Sequence, residues 1–260
     1  MNKFCIVAKK DEKSVMIENK IEQELCRCGW EINKNSPELI ICIGGDGTFL
    51  HAIHKYMKNI NECCFLAIHT GTLGFFTNYT SNDVDLLADN LLNNIPSIDE
   101  YSLIEVTFNN KTHLALNEIR VENNYHTQEI DIYLNEQYLQ TFKGNGICLA
   151  TAIGSTGYNR SLKGPIIHPS LDVMIMSEIA AIQHRYFSTL SSPLVMGRDT
   201  EFKMVIKPSS HLLLGIDHEI CNDDNLAEVK CKLSDKKIKM LNYNEFTYVQ
   251  RLRKAFLEKD

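Results

Sequence analysis

Five residues, Gly44-Gly45-Asp46-Gly47-Thr48, combine types that can do chemistry together. They follow the apolar run Leu39-Ile40-Ile41-Cys42-Ile43 and precede a helix-like stretch, Phe49 to Met57. A glycine-rich turn between strand and helix accommodates phosphate. Its glycines let the backbone approach an anion, and the N–H groups of the turn and of the first helical turn point at the ligand. A carboxylate among those donors would repel phosphate unless it holds a metal, takes a proton or grips a sugar hydroxyl. Asp46 therefore suggests chemistry as well as cradling; the plainer alternative is a helix N-cap.

Further along lie Leu116-Asn117-Glu118-Ile119, Lys143-Gly144-Asn145-Gly146, Thr151-Ala152-Ile153-Gly154-Ser155-Thr156-Gly157-Tyr158 and Gly164-Pro165-Ile166-Ile167-His168-Pro169. An Asn-Glu pair between apolar residues can set an amide and a carboxylate against a sugar or base edge, and a carboxylate accepting from ribose hydroxyls is a common adenosine grip. Taken alone, Glu118 reads as an exposed strand residue and the Gly-Ser-Thr-Gly-Tyr run as a surface loop.

The elements that must position these residues follow from periodicity. Phe4 to Ala8, Leu39 to Ile43 and Cys63 to Ile68 read as buried strands. Asp11 to Cys28 and Asp46 to Met57 read as helices, and a third helix, capped by Ser81 or Asn82, carries Val84, Leu87, Ala88, Leu91, Leu92 and Ile95 at helical spacing. This alternation predicts a parallel sheet covered by helices, with ligands at the carboxyl ends of its strands, where both the Gly44 turn and His69-Thr70-Gly71-Thr72-Leu73-Gly74-Phe75 lie. Beyond Pro96 come short alternating segments: Leu103–Phe108, Ile119–Glu122, Ile130–Leu134, Tyr138–Phe142, Ile147–Thr151, Phe202–Ile206, Leu212–Ile216, Ala227–Leu233 and Lys237–Leu241. With polar turns at Asn109-Asn110 and Asn135-Glu136-Gln137, they predict an antiparallel β domain. Phe246, Val249, Leu252 and Phe256 suggest a terminal helix.

The 260 residues are enough for one large domain or two small ones. A net charge of −6 argues against a nucleic-acid backbone binder. The nine cysteines include no CxxC pair and read as reduced thiols used as small hydrophobes, which places the protein in the cytoplasm. His51 and His54 lie three apart but have no evident third ligand, so they read as a helix face and not as a metal site. No signal peptide or membrane-length apolar run is read, and no membrane partner is expected.

The Gly-Gly-Asp-Gly-Thr motif is shared with diacylglycerol and sphingosine kinases and, in related form, with 6-phosphofructokinases. With Asn117-Glu118, Thr-x-x-Gly-Ser-Thr-x-Tyr over 151–158 and Gly-x-x-x-His-Pro over 164–169 in that order, nearly the whole chain resembles the NAD kinase family. The stretch from Ser177 to Val195 looks most like the enzymes of Gram-positive bacteria.

The resemblance implies an α/β N-terminal Rossmann-like domain (1–98) plus an all-β C-terminal sandwich domain (99–245), the NAD kinase and diacylglycerol kinase-like fold, with helix 246–260 returning to the first domain. It implies an active site between the domains and a homo-oligomer, often a tetramer, in which a neighbouring subunit completes the substrate site. The implied reaction moves the terminal phosphoryl of ATP, or of polyphosphate, to the 2′-hydroxyl of the adenosine ribose of NAD. Mg2+ travels with ATP, so no resident metal site is expected.

Carried over residue by residue, the resemblance makes Asp46 the catalytic carboxylate and has Gly44, Gly45, Gly47 and Thr48 line the phosphate path. Asp46 and Gly47 also touch NAD, Asn117 and Glu118 hold its adenosine end, Thr156 and Tyr158 fix adenine and ribose, and Ser161 lies close by. Phe75 is an apolar wall, and Ala180 approaches the nicotinamide end. Asn145 stands where the family usually has Asp, Ala152 where it has Pro, Ile153 where it has a small or hydroxyl residue, Lys143 where Arg is common, and His218 where many relatives have Gly; Lys143, Asn145 and His218 belong to the NAD pocket. The alternatives are a kinase with the same motif acting on another hydroxyl acceptor and a catalytically silent NAD-binding sensor.

Overall fold

In the computed structural model, which describes residues 1–258 except 72–73, 184, 186, 223–225 and 244–245, the chain divides into two units. One comprises Met1–Glu100 and Ile238–Asp260, the other Tyr101–Lys237.

The first unit opens with β1 (Lys3–Ala8) and α1 (Glu12–Arg27). Asp11 caps α1 by accepting from Ser14 N at 2.9 Å, and Ile17, Ile21 and Leu25, four apart, form its buried stripe. There follow β2 (Glu31–Ile32), β3 (Leu39–Gly44), α2 (Asp46–Tyr56), β4 (Cys64–His69), β5 (Tyr79–Thr80) and α3 (Val84–Asn93). The strands β2-β1-β3-β4 lie side by side and parallel. Every residue of β3 and β4 is buried, as befits strands covered on both faces. Leu39, Ile41 and Ile43 of β3 pack with Ile21 of α1 and Leu87 of α3, while Phe49 of α2 meets Phe65 of β4 with ring centroids 5.9 Å apart. The cap of α3 is Asp83, whose carboxylate accepts from Thr80 N at 2.8 Å, and not Ser81 or Asn82. The helix ends at Asn93, leaving Ile95 97% exposed, so the apolar spacing overran the helix by two residues.

The second unit is antiparallel β. Its strands are β6 (Ser97–Phe108), β7 (Lys111–Ala115), β8 (Glu118–Asn123), β9 (Gln128–Leu134), β10 (Gln137–Gly144) and β11 (Gly146–Thr151). After a 3-10 turn (Ile153–Thr156) and α4 (Tyr158–Ser161) come β12 (Val173–Ile179), β13 (Leu194–Gly197), β14 (Phe202–Ile206), β15 (Leu212–Ile216), β16 (Glu219–Asn222) and β17 (Glu228–Asn242). One sheet runs β13-β12-β11-β8-β15-β16; in the other, β10-β9-β14-β17 continues through β6 to β7. Ile119, Val121, Leu149 and Met176 of the first share a core with Ile130, Phe142, Phe202 and Met204 of the second, the interior of a sandwich. Two-residue turns at Asn109-Asn110 and Asn135-Glu136 have positive φ at both positions, the twist that tight hairpins need.

The segments expected at Ala227–Leu233 and Lys237–Leu241 are one strand, β17. The polar run Ser234-Asp235-Lys236 that suggested a break is held within it: Ser234 O accepts from Arg198, and Lys237 pairs with Asp172 at 3.0 Å. β12, β13 and β16 lie in stretches that gave no alternation signal. β17 ends in the first unit, with Met240 opposite Phe65 of β4. The terminal helix is α5 (Tyr248–Phe256), started by a capping box in which Thr247 Oγ1 accepts from Gln250 N and Gln250 Oε1 from Thr247 N. Phe246 precedes it, and residues 259–260 of the expected helix lie outside the described residues.

Candidate active site

In the first unit the chemistry-bearing residues gather at the carboxyl ends of β3 and β4. Gly44, the last residue of β3, leaves no room for a side chain: a Cβ there would sit 2.2 Å from Thr48 Oγ1 and 2.8 Å from Thr48 Cβ. The N-cap of α2 is Gly45, whose carbonyl accepts from Thr48 N at 2.9 Å and Phe49 N at 3.1 Å. Asp46 is already the first helical residue and does not cap it. Its half-buried carboxylate turns to the segment after β4, accepting from Phe75 N at 3.0 Å through Oδ2 and from Phe76 N at 3.2 Å through Oδ1.

Gly74 permits this approach, because a Cβ on it would fall 2.0 Å from Asp46 Oδ1. Each carboxylate oxygen keeps a second lone pair to receive a substrate hydroxyl. Gly45 and Gly47 are exposed at the start of α2, where the first N–H groups of a helix have no partner within it, an anion-favouring position beside the carboxylate. Phe76 stacks on Phe49 at 4.5 Å, and Phe75 is half-buried. Of the 69–75 motif, Thr72 and Leu73 lie outside the described residues.

In the second unit the Asn-Glu pair is gripped from two sides. The Asp217 carboxylate accepts from Leu116 N at 2.9 Å, Asn117 N at 2.7 Å and Glu118 N at 3.2 Å, while Asp217 N donates to Glu118 O at 2.9 Å. Opposite, Thr151 Oγ1 donates to Leu116 O at 2.6 Å, and Gly154 lies so close that a Cβ would be 2.0 Å from Asn117 O. Glu118, which alone read as an exposed strand residue, is buried, and its Oε2 has no hydrogen-bond partner among the described residues. Burial, with Asp217 nearby and Arg120 opposing, pushes the Glu118 carboxyl up to about 7.

The Gly-Ser-Thr-Gly-Tyr run is no surface loop: its first residues form the buried 3-10 turn, and Tyr158 starts α4. A Cβ on Gly157 would stand 3.4 Å from Glu118 Oε2, so Thr156 and Tyr158 flank the Glu118 side chain's surroundings. The Arg120 guanidinium stacks on the Tyr158 ring at 4.7 Å and pairs with Glu122 at 3.1 Å. Burial, reinforced by Glu122, raises the Tyr158 hydroxyl above its ordinary range. Ser161 is exposed at the end of α4, and His218 is exposed beside Asp217.

Lys143, Asn145 and Ala180 form a separate group. Asn145 N donates to Ile179 O at 2.9 Å, and Ala180, exposed, adopts φ +46. Asn145 Nδ2 donates to Asn123 O at 3.0 Å, a bond that an Asp carboxylate at this position could not make. Lys143 is engaged with Glu129 at 2.8 Å. Because Glu118 pairs with Ala150 and Glu122 with Gly146, this group and the Asn-Glu pair lie at opposite ends of β11, about 15 Å apart by strand rise.

Sequence reasoning placed Gly74 in a glycine-bearing turn at the carboxyl end of the sheet but missed Arg120 and Asp217. Asp217 carried one local signal, an acidic residue in the turn between β15 and β16, where it takes a left-handed φ of 51°. That the turn closes on residues about a hundred positions earlier has no local signature.

Comparison with known proteins shows the family and the fold. Residues 7–95 match the family model described as ATP-NAD kinase N-terminal domain, and residues 116–242 match ATP-NAD kinase C-terminal domain. The chain is 34% identical to NAD kinase 1 of Oceanobacillus iheyensis, covering 99% of both chains. It is 36% identical to a NAD kinase of Leuconostoc mesenteroides, over 98% of both. Among solved structures it is similar to yeast NADH kinase complexed with NADH, with TM-score 0.82 and 18% identity over 100% of this chain and 89% of that one. It is also similar to a NAD kinase from Archaeoglobus fulgidus in complex with ATP, with TM-score 0.78 and 22% identity over 97% and 99%.

The raised Glu118 carboxyl has a stability consequence whose sign is fixed. The folded state holds this proton more tightly than the unfolded chain, so the associated stability is complete below the ordinary value of 4.5 and is lost as pH rises to about 7. Glu118→Gln removes the titration. The variant's stability relative to the wild type should therefore rise between those pH values, by on the order of 3 kcal/mol, and level off above them. Denaturant midpoints measured at pH steps across that window test this; a pH-independent difference would refute it.

Proposed function

The chain belongs to the NAD kinase family and makes NADP by phosphorylating NAD, and from that premise we propose that Asp46 is the carboxylate that receives the acceptor hydroxyl. The observation that carries this reading is the Asp46 side chain itself: instead of capping α2, it leaves the glycine turn to accept from the N–H groups of Phe75 and Phe76. The hydroxyl is the 2′-OH of the adenosine ribose, oriented by Asp46, which takes its proton late in a loose phosphoryl transfer. No covalent intermediate is required; positioning and charge stabilisation supply the rate. Gly44, Gly45, Gly47 and Thr48 line the path of the phosphoryl group. ATP is the donor, and its divalent cation, magnesium in this reading, arrives bound to it as part of the substrate.

The remaining assignments rest on the second unit. Asn117 and Glu118, held by Asp217, take the adenosine end of NAD. Thr156 and Tyr158 fix adenine and ribose with Ser161 nearby, His218 borders the same pocket, and Phe75 is an apolar wall of the first unit. Residues 1–98 with helix 246–260 act as the phosphate-donor domain and residues 99–245 as the NAD-binding domain. Lys143, Asn145 and Ala180, at the far end of β11 from Glu118, belong to the same NAD site through a neighbouring subunit of a homo-oligomer, in our reading a tetramer. Among the described residues no helix is long and apolar enough to cross a membrane. The nine free thiols support a cytoplasmic setting.

Purified protein given NAD, ATP and magnesium should form NADP, and Asp46→Asn should lose at least about 100-fold in kcat with NAD affinity roughly kept. Near-normal turnover in that variant removes Asp46 from the chemistry. Gly74→Ala, which drives a methyl into the Asp46 carboxylate, should also lower kcat, by about 10-fold or more; unchanged kcat would show that the Asp46 contact with this segment is dispensable. Light scattering after gel filtration should give the mass of four chains. A monomer that is fully active would end the shared-site reading.

A further inference from the structure

The segment that aims Asp46 is itself held from behind. Its N–H groups at Phe75 and Phe76 face the Asp46 carboxylate, and its carbonyl side faces the terminal helix. There the Arg251 guanidinium donates through Nη1 to Phe75 O at 3.1 Å and to Thr77 O, and through Nη2 to Asn78 Oδ1 at 2.6 Å. Five residues on, the Phe256 ring packs against Phe75 with centroids 5.2 Å apart. One planar fork thus spans three acceptors within four residues of one short segment, a geometry that Lys cannot reproduce.

None of the residues of helix α5 is fully buried, and Val249 is 63% exposed. A nine-residue helix of this kind is unstable alone, so its contacts with the 75–78 segment order helix and segment together. Asn78 ties the segment to the sheet, with Asn78 N donating to Ala67 O at 3.0 Å and Asn78 Nδ2 to Leu241 O at 3.2 Å. The stretch nearer Asp46 is held on one side by Phe76 stacking on Phe49 and by Gly74 N donating to Thr77 Oγ1 at 3.1 Å, and from behind by Arg251 and Phe256.

We propose that the C-terminal helix is part of the phosphoryl-transfer apparatus, with Arg251 as a positioning residue that fixes, through Phe75 to Asn78, the two N–H groups that orient Asp46. The proposal rests on the catalytic reading of Asp46. Arg251 touches no reacting atom; it acts on the rate by holding the carboxylate where the acceptor hydroxyl must meet it.

The test is steady-state kinetics of Arg251→Ala beside the wild type, Asp46→Asn and Arg253→Ala, whose exposed side chain pairs with Glu258 at 3.4 Å. Arg251→Ala should lower kcat about 10- to 100-fold with little change in the KM for ATP. Methylguanidinium added at millimolar concentration should restore part of that kcat, and should do nothing for Asp46→Asn. Arg253→Ala should keep the wild-type kcat. A folded Arg251→Ala enzyme with normal kcat overturns the proposal, and so does a loss that methylguanidinium leaves untouched.

Should Arg251→Ala fail to fold, Arg251→Lys takes its place: a fall of about tenfold in kcat supports the role, and wild-type kcat refutes it. Turnover lost in Asp46→Asn but kept in Arg251→Ala removes this proposal alone. Turnover kept in Asp46→Asn removes the reading beneath it.

Discussion

The Asp46 carboxylate and the two N–H groups that grip it are the interaction on which the first unit is organised. An Asp at the start of a helix normally bends back to cap that helix. Here Gly45 takes the cap position, which frees the carboxylate to reach the segment after β4. That reach imposes three further conditions. Gly44 must lack a side chain so that the turn can close on Thr48, Gly74 must lack one so that the segment can come within bonding distance, and Phe76 must be anchored, which its stacking on Phe49 provides. The parallel sheet serves this arrangement by ending β3 and β4 in register, with Gly44 opposite His69.

The second unit meets a different constraint, that of keeping a polar turn ordered at the edge of an apolar sandwich. Leu116 to Glu118 would leave backbone N–H groups buried and unpaired without an acceptor from elsewhere. Asp217 supplies one carboxylate for three of them, and Thr151 and Gly154 close the turn from the other side. The arrangement places a second carboxyl, Glu118, in the field of the first. Together with burial, that neighbour raises Glu118 toward neutrality.

Much of this was legible in the sequence, for reasons that differ by element. The βα alternation and the glycine turn were readable because strand burial, helix stripes and glycine requirements act over a few neighbouring residues. The Asn109-Asn110 hairpin was readable because only residues tolerant of positive φ fit it. Failures arose where local pattern and tertiary context diverge. β17 looked like two strands because its polar middle is satisfied by Arg198 and Asp172 from distant parts of the chain. Ile95 looked like core because its spacing fits a helix that has already ended. Asp217 and Arg251 were invisible because each acts on a segment about 100 or more residues away, and neither belongs to a motif.

The two carboxyls differ in what the fold leaves for a ligand to do. Asp46 is half-buried and already served by backbone donors, so its orientation is set before any substrate arrives. Glu118 Oε2 is buried and without a partner among the described residues, and folding has already borne the desolvation of that oxygen. A ligand group that pairs with it therefore gains a hydrogen bond without repeating that loss, and a ligand that lacks such a group gains nothing there. In the function proposed above, the first carboxylate serves reaction and the second discrimination. Asp217 grips the backbone that presents Glu118, and Arg251 grips the segment whose N–H groups hold Asp46.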